Sequence, residues 1–438
     1  MKLVRFIWAM VLSVTGTAAL AAIEIQEITT PSGIDLWLVE EHSIPFVALD
    51  IHFDGGSSLD LEGKRGATNL MMGLIEEGAG ELDAQAFQAA RESLAASFSF
   101  SAYDDGASVS AKFLTENQDE AVALLTLALT KPRFDQEAID RVKGQVIAGI
   151  ASDAKNPNRI AGDWFYSAAF GDHPYGSDQS GTVESVTALS RDDILEAHRN
   201  ALVKTRAKVS VVGDITPDAA AELVDRILAD LPDSGPELIG DVGFGLEGGI
   251  TVIDYDTPQA VALFGHKGIK REDEDFFAAF ILNSILGGSG RQSVLMDEVR
   301  EKRGLTYGVY TYLVAKDHAE MILGSVASAN ERIAEAIDVI KAEWARIAAD
   351  GITQEQLDEA KTYLTGEYPL RFDGNAEISS IMIGLQVQGL EPSYVVNRND
   401  YINAVTLEDI NRVAAELLDP DALHFTVVGK PFGLETAQ

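Results

Sequence analysis

Apolar residues along this chain follow two rhythms. Residues 45–51, 208–214, 259–265 and 424–430 are runs rich in Val, Ile, Leu and Phe and read as strands. Residues 191–201 and 407–418 repeat their apolar positions at helical spacing and predict amphipathic helices, and 276–286 reads as an apolar helical run. Ser293 is placed to cap a further helix in which Leu295 and Val299 share a face, with Gly304 as its stop. Residues 305–314 are β-branched and aromatic without a breaker, which predicts a strand. Arg300 then falls on the last helical turn and Tyr307 near the start of that strand.

The pattern also repeats. Segment 45–51 corresponds to 259–265, 68–78 to 280–288, and 208–214 to 424–430. Each repeat closes on a strand preceded by an amphipathic helix. The Pro, Gly and Ser of residues 231–236 break both helix and strand and mark the join. These features predict an α+β chain of two homologous domains, each a mostly antiparallel sheet covered by helices. The expected divisions are a leader over 1–21, an N-terminal domain over 22–232, a linker over 233–249 and a C-terminal domain over 250–438.

Composition narrows the function. The 438 residues carry 69 Asp and Glu against 34 Lys and Arg, a net charge of −35. That charge opposes nucleic acids and anionic membrane surfaces. Lys2 and Arg5, an apolar stretch from Phe6 to Val14 and the small residues Ala19 and Ala21 read as a secretory signal peptide. A periplasmic or secreted location follows, with no membrane span in the mature chain. Cysteine is absent, so neither disulfides nor thiolate metal sites are available.

The chemistry-bearing stretch is Gly287, Gly288, Ser289, Gly290 and Arg291, followed by Arg300 and, seven positions on, Tyr307. This pattern resembles the C-terminal half of the M16 metallopeptidases, of the pitrilysin and mitochondrial-processing-peptidase type. The resemblance implies that Arg300 and Tyr307 grip the backbone of a peptide substrate. Gly287, Gly288 and Gly290 either touch that substrate or allow the chain to turn tightly. It also implies two domains that together form half of a clam-shell.

In the same family the N-terminal half carries His-x-x-Glu-His on a helix and a further Glu on the next long helix. Two His four apart bind zinc from one face, and the Glu activates the bound water. The flanks are present in residues 45–58 and 66–78, but the ligand positions hold Asn69, Met72 and Gly73. The distal position falls at Gly149, 76 residues after Gly73. None of these side chains ligates zinc or activates water. The seven histidines, at 42, 52, 173, 198, 266, 318 and 424, offer no substitute pair at helical spacing. Glu76 and Glu77 diverge by about 100° on a helix and read as a solvated helix end rather than an acid–base pair.

The resemblance thus implies a chain without a zinc site or cofactor of its own. Its expected role is the substrate-binding subunit of a heterodimer, closing a chamber over a catalytic M16 partner that bears His-x-x-Glu-His and the zinc. Two other readings stand beside it: a peptide-binding or chaperone-like module without catalysis, and a structural scaffold subunit.

Overall fold

A computed structural model describes residues 23–288 and 290–435. The leader expected over 1–21 lies outside the described residues. Among the described residues thirteen strands occur in chain order: β1 (Gln26–Thr29), β2 (Asp35–Glu40), β3 (Phe46–Asp54), β4 (Gly78–Ala79), β5 (Leu82–Asp83), β6 (Ser97–Ala102), β7 (Gly106–Leu114), β8 (Ala207–Gly213), β9 (Gly249–Asp254), β10 (Gln259–Lys267), β11 (Val309–Ala315), β12 (Glu320–Ala329) and β13 (His424–Gly429). The first sheet has the order β1-β2-β8-β3-β7-β6 and the second β11-β12-β10-β13-β9, while β4 and β5 form a short ladder of their own.

The two large sheets have one topology. In each, the last strand of the half inserts between two early strands that follow one another in the chain: β8 is parallel to β2 and antiparallel to β3, and β13 is parallel to β9 and antiparallel to β10. The hairpin β6–β7 extends the first sheet as β11–β12 extends the second. The helices before the closing strands are Arg191–Ala201 and Leu407–Leu417, each opened by a capping box, from Ser190 and from Thr406. The fold is therefore α+β with two homologous domains.

Central strands are apolar on both faces because both faces are covered. Every residue of β13, and the last five of β8, are buried. One face carries the helices of its own half, and the other carries a helix of the opposite half. The Asn375–Val387 helix of the C-terminal half lies on β3 and β8, where Met382 and Leu385 meet Trp37, Val39 and Val212. Gln386 Nε2 donates to the carbonyl of Val209 at 2.9 Å, and the hydroxyls of Ser210 and Ser379 bond at 2.8 Å. The Pro157–Phe170 helix of the N-terminal half lies reciprocally on β10 and β13, where Ala161 meets Val261 and Val428.

Polar contacts clamp the same seam. Lys316 of the β11–β12 turn donates to Asp104 of the β6–β7 turn and sits 4.2 Å over the ring of Tyr175. The Tyr175 hydroxyl donates to Asp105 and accepts from the backbone N–H of His318 at 3.3 Å. Residues 231–248 have neither helix nor strand, yet Ile239, Val242, Phe244 and Leu246 pack against a cluster that draws Phe165 and Phe170 from one half and Met321 and Leu323 from the other. The connector is thus part of the seam.

Candidate functional site

The N-terminal part of the site begins at the Ala67–Met72 helix. Gly66 precedes it with φ 97°, and a Cβ there would lie 2.6 Å from the carbonyl of Ser180. The helix is capped at a distance. The buried carboxylate of Asp60 accepts from the N–H groups of Gly66 (2.8 Å) and Thr68 (2.9 Å) and from the Thr68 hydroxyl (2.7 Å). Burial pushes the Asp60 carboxyl up from its ordinary range, against the pull of these donors.

Asn69 is half-buried, Met72 is 1% exposed within the first core, and Gly73 is exposed at the helix C-terminus. Gly149 lies on the outer face of the Gln136–Asp153 helix, with open space where a Cβ would project. Among the described residues, no group of three or more His, Cys, Asp or Glu could hold a metal ion. The buried histidines are engaged elsewhere: His52 with the Ser108 hydroxyl, His198 with the carbonyl of Leu129, His266 with Trp344 and the carbonyl of Lys267, His424 with Thr251 and the carbonyl of Glu247.

The expectation of a solvated acidic pair at Glu76 and Glu77 needs correction. The helix stops at Met72, so both glutamates lie in the following turn. Glu76 pairs with Arg91 and Glu77 with Arg141, tying the turn to two neighbouring helices. Burial raises the pKa of Glu76.

The C-terminal part begins at the Phe276–Asn283 helix, which continues as a wider turn over Ser284–Gly288. Gly287 is buried there. A Cβ would meet the Thr311 hydroxyl of β11 at 2.5 Å and its N–H at 2.8 Å, so glycine lets this turn press onto the sheet. Gly288 is exposed, and a Cβ would meet Asn283 Nδ2 at 2.8 Å. Gly290 needs glycine for conformation instead, with φ +65° and open space around it.

Ser293 does not cap the helix that follows. Its hydroxyl turns back to donate to the carbonyl of Gly290 at 2.9 Å, and its own carbonyl accepts from Asp297. The helix then widens over Met296–Glu301 and ends as expected near Gly304, whose N–H donates to the carbonyl of Arg300 at 2.7 Å. Widened turns of this kind occur often at functional sites. Arg300 lies on the last turn with its side chain 27% exposed and 3.4 Å from Glu301.

The strand starts at Val309 rather than near residue 305. The Thr306 hydroxyl accounts for the delay: it accepts from the N–H of Gly308 (3.0 Å) and donates to the carbonyls of Gly308 and Ala327. This side-chain turn pulls the backbone out of the ladder and leaves Tyr307 at the bend, 85% exposed. Arg300 and Tyr307 thus flank one tight turn, and among the described residues no hydrogen bond joins their side chains.

A cleft that sequence reasoning did not find lies between the halves. Its volume is about 900 Å³. One wall is β3, β7 and β6, with Ser97, Ser99 and Lys112, and the other is Leu370, Arg371 and the start of the Asn375–Val387 helix. β6 is the last strand of its sheet, so its outer edge faces no further strand among the described residues. The only advance signal was the alternating Ser and Phe of residues 97–100, a strand with one apolar and one polar face.

Comparison with known proteins matches this geometry to one family. The family model for "Insulinase (Peptidase family M16)" matches residues 37–183, and that for "Peptidase M16 inactive domain" matches 188–364. A Helicobacter pylori protein named "Non-peptidase homolog YmxG" is 25% identical over 425 residues, covering 97% of this chain and 98% of its own. A crystal structure described as the peptidase M16 inactive domain from Pseudomonas fluorescens superposes with TM-score 0.87 at 26% identity, over 95% of this chain and all of that one. A protease structure from Helicobacter pylori shares the fold, with TM-score 0.82 at 18% identity over 92% of this chain and 99% of that one.

Proposed function

This chain belongs to the M16 peptidase family, as a member with Asn69, Met72, Gly73 and Gly149 where the family carries zinc ligands and base, and on that premise we propose that it is the non-catalytic, substrate-binding subunit of a heteromeric zinc peptidase. The observation that carries the reading is a selective loss. The ligand positions are vacant, whereas Arg300 and Tyr307 stand at the end of a widened helix and on an exposed bend. A partner M16 chain bearing His-x-x-Glu-His supplies the zinc, and the two chains enclose a chamber, each as half of a clam-shell. Arg300 donates to a carbonyl of the peptide, and Tyr307 holds the backbone beside it. The assembly works in the periplasm or outside the cell.

Native mass spectrometry of the protein isolated from its own cells tests the partnership. The expected species is a one-to-one complex with a second M16 chain and one zinc. Within that complex, Arg300→Ala or Tyr307→Phe lowers turnover about 10²–10³-fold, the usual cost of one preorganised donor, while assembly persists. Wild-type turnover in both variants would remove the roles given to these residues.

A second reading, a peptide-binding module without catalysis, is favoured by the open edge of β6 on the cleft, which could take an extended peptide as an added strand. A homodimer that binds unfolded peptides and never cleaves them would select it.

A further inference from the structure

A second pocket, of about 460 Å³, lies within the C-terminal half between the Phe276–Asn283 helix, β11, the Tyr368–Arg371 turn and the Asn375–Val387 and Tyr394–Ala404 helices. Six aromatic side chains and three arginines line it. Its charge is unusual for this chain. Arg398 is 4% exposed, lies 4.4 Å over the ring of Tyr368, and donates to the carbonyl of Leu364 at 3.0 Å. Arg271 lies 4.2 Å over Phe276 and donates to Gln388 at 2.9 Å. Among the described residues neither has a carboxylate partner, although Asp and Glu outnumber Lys and Arg two to one (69 against 34). Only Arg371 has one, Glu367 at 2.8 Å. A guanidinium does not shed its proton when desolvated, so this positive charge stays in the pocket and calls for an anion from outside.

Two further groups in the lining lack partners. The Tyr368 hydroxyl and Asn283 Oδ1 are buried without a hydrogen bond, in residues 7% and 8% exposed. The first can donate to an anion, and the second can accept from an N–H. A guanidinium set, a hydroxyl donor and an amide acceptor among aromatic walls match a carboxylate, a neighbouring peptide N–H and a ring. Arg371, Ser380 and Ile381 line both this pocket and the cleft along β6, so the two adjoin.

We propose that this pocket receives the free C-terminal carboxylate of a peptide whose last side chain is aromatic or large and apolar. The proposal deepens the peptide-binding part of the function given above. Arg300 and Tyr307 line neither cavity, so each idea can fail alone.

Calorimetric titration of the isolated full chain tests it with three probes: N-acetyl-Ala-Ala-Phe, the same peptide as its C-terminal amide, and 3-phenylpropionate. The free acid binds, and the amide and phenylpropionate bind at least about tenfold more weakly, each having lost one hydrogen-bonded or charged partner. Arg271→Gln weakens the acid about tenfold with little change in melting temperature, its side chain being part-exposed and its polar partner a neutral Gln388. Tyr368→Phe weakens it too, while the melting temperature holds or rises because an unpartnered hydroxyl is gone. Equal binding of acid and amide, no binding at millimolar peptide, or indifference to both variants overturns the proposal. Phenylpropionate binding as tightly as the peptide overturns the peptide assignment in favour of a free aromatic acid.

Discussion

The indole of Trp164 stacks on the imidazole of His424, with ring centroids 5.2 Å apart and planes 20° from parallel. Trp164 belongs to the N-terminal half and His424 opens the last strand of the C-terminal half, so the stack crosses the seam. With the reciprocal helices it should couple the two halves into one cooperative unit. Trp164→Ala, at a half-buried position, should cost about 2 kcal/mol. Calorimetry should show a single transition in both proteins, and two resolved transitions in the wild type would show that the halves unfold independently.

Acid should weaken the fold before carboxylates titrate. Burial depresses the pKa of His198, His266 and His424 below 6.5. At His266 the hydrogen bonds add a geometric obstacle to burial: the Trp344 N–H donates to Nε2 at 3.2 Å, so Nδ1 carries the proton and donates to the carbonyl of Lys267. A second proton would face a donor. The unfolded chain takes up protons near pH 6.5 and the folded one resists, so stability is full above about pH 7 and falls as pH drops below 6.5. His42, raised by Asp214, works in the opposite direction but is exposed and screened. Melting temperatures from pH 8 to 5 should decline, and a flat or rising profile would contradict this assignment.

Met72 stands where the family's base would be, yet it is 1% exposed inside the first core. Met72→Glu therefore buries a carboxylate without a partner and should destabilise on the order of 3 kcal/mol at pH 8. The loss should shrink near pH 5, where the carboxyl can take a proton. A melting temperature within a degree of wild type at both pH values would mean that this helix shifts outward to meet solvent.

The glycines of the loop make separable demands. Gly287→Ala forces a methyl against Thr311 and should cost about 1–3 kcal/mol by overpacking. Gly290→Ala meets nothing within 4 Å but must hold φ +65°, at a cost of about 1 kcal/mol. Denaturant titration of both variants separates the two demands, and equal losses would refute the distinction.

Much of the architecture was legible because it rests on local rules. Ser190 and Thr406 begin their helices where short polar side chains can cap them, and the repeated strand–helix–strand segments became two sheets of one topology. Side-chain chemistry that competes with the backbone was not legible. Thr306 held Tyr307 out of the strand, and the Ser293 hydroxyl turned backward instead of capping. An amphipathic pattern also does not say which sheet a helix covers, so the exchange of 157–170 and 375–387 between halves was hidden. The aromatic pocket draws on several separate segments, and no one of them carries a motif.

That exchange sets a schedule for synthesis. The first sheet is complete once Gly213 has been made, but the helix that covers Trp37, Val39 and Val212 arrives only with residues 375–387. For that interval the nascent N-terminal half presents an apolar face with nothing of its own to lay on it, the condition under which chains aggregate or recruit chaperones. A truncated chain ending at the connector would keep that face bare for good.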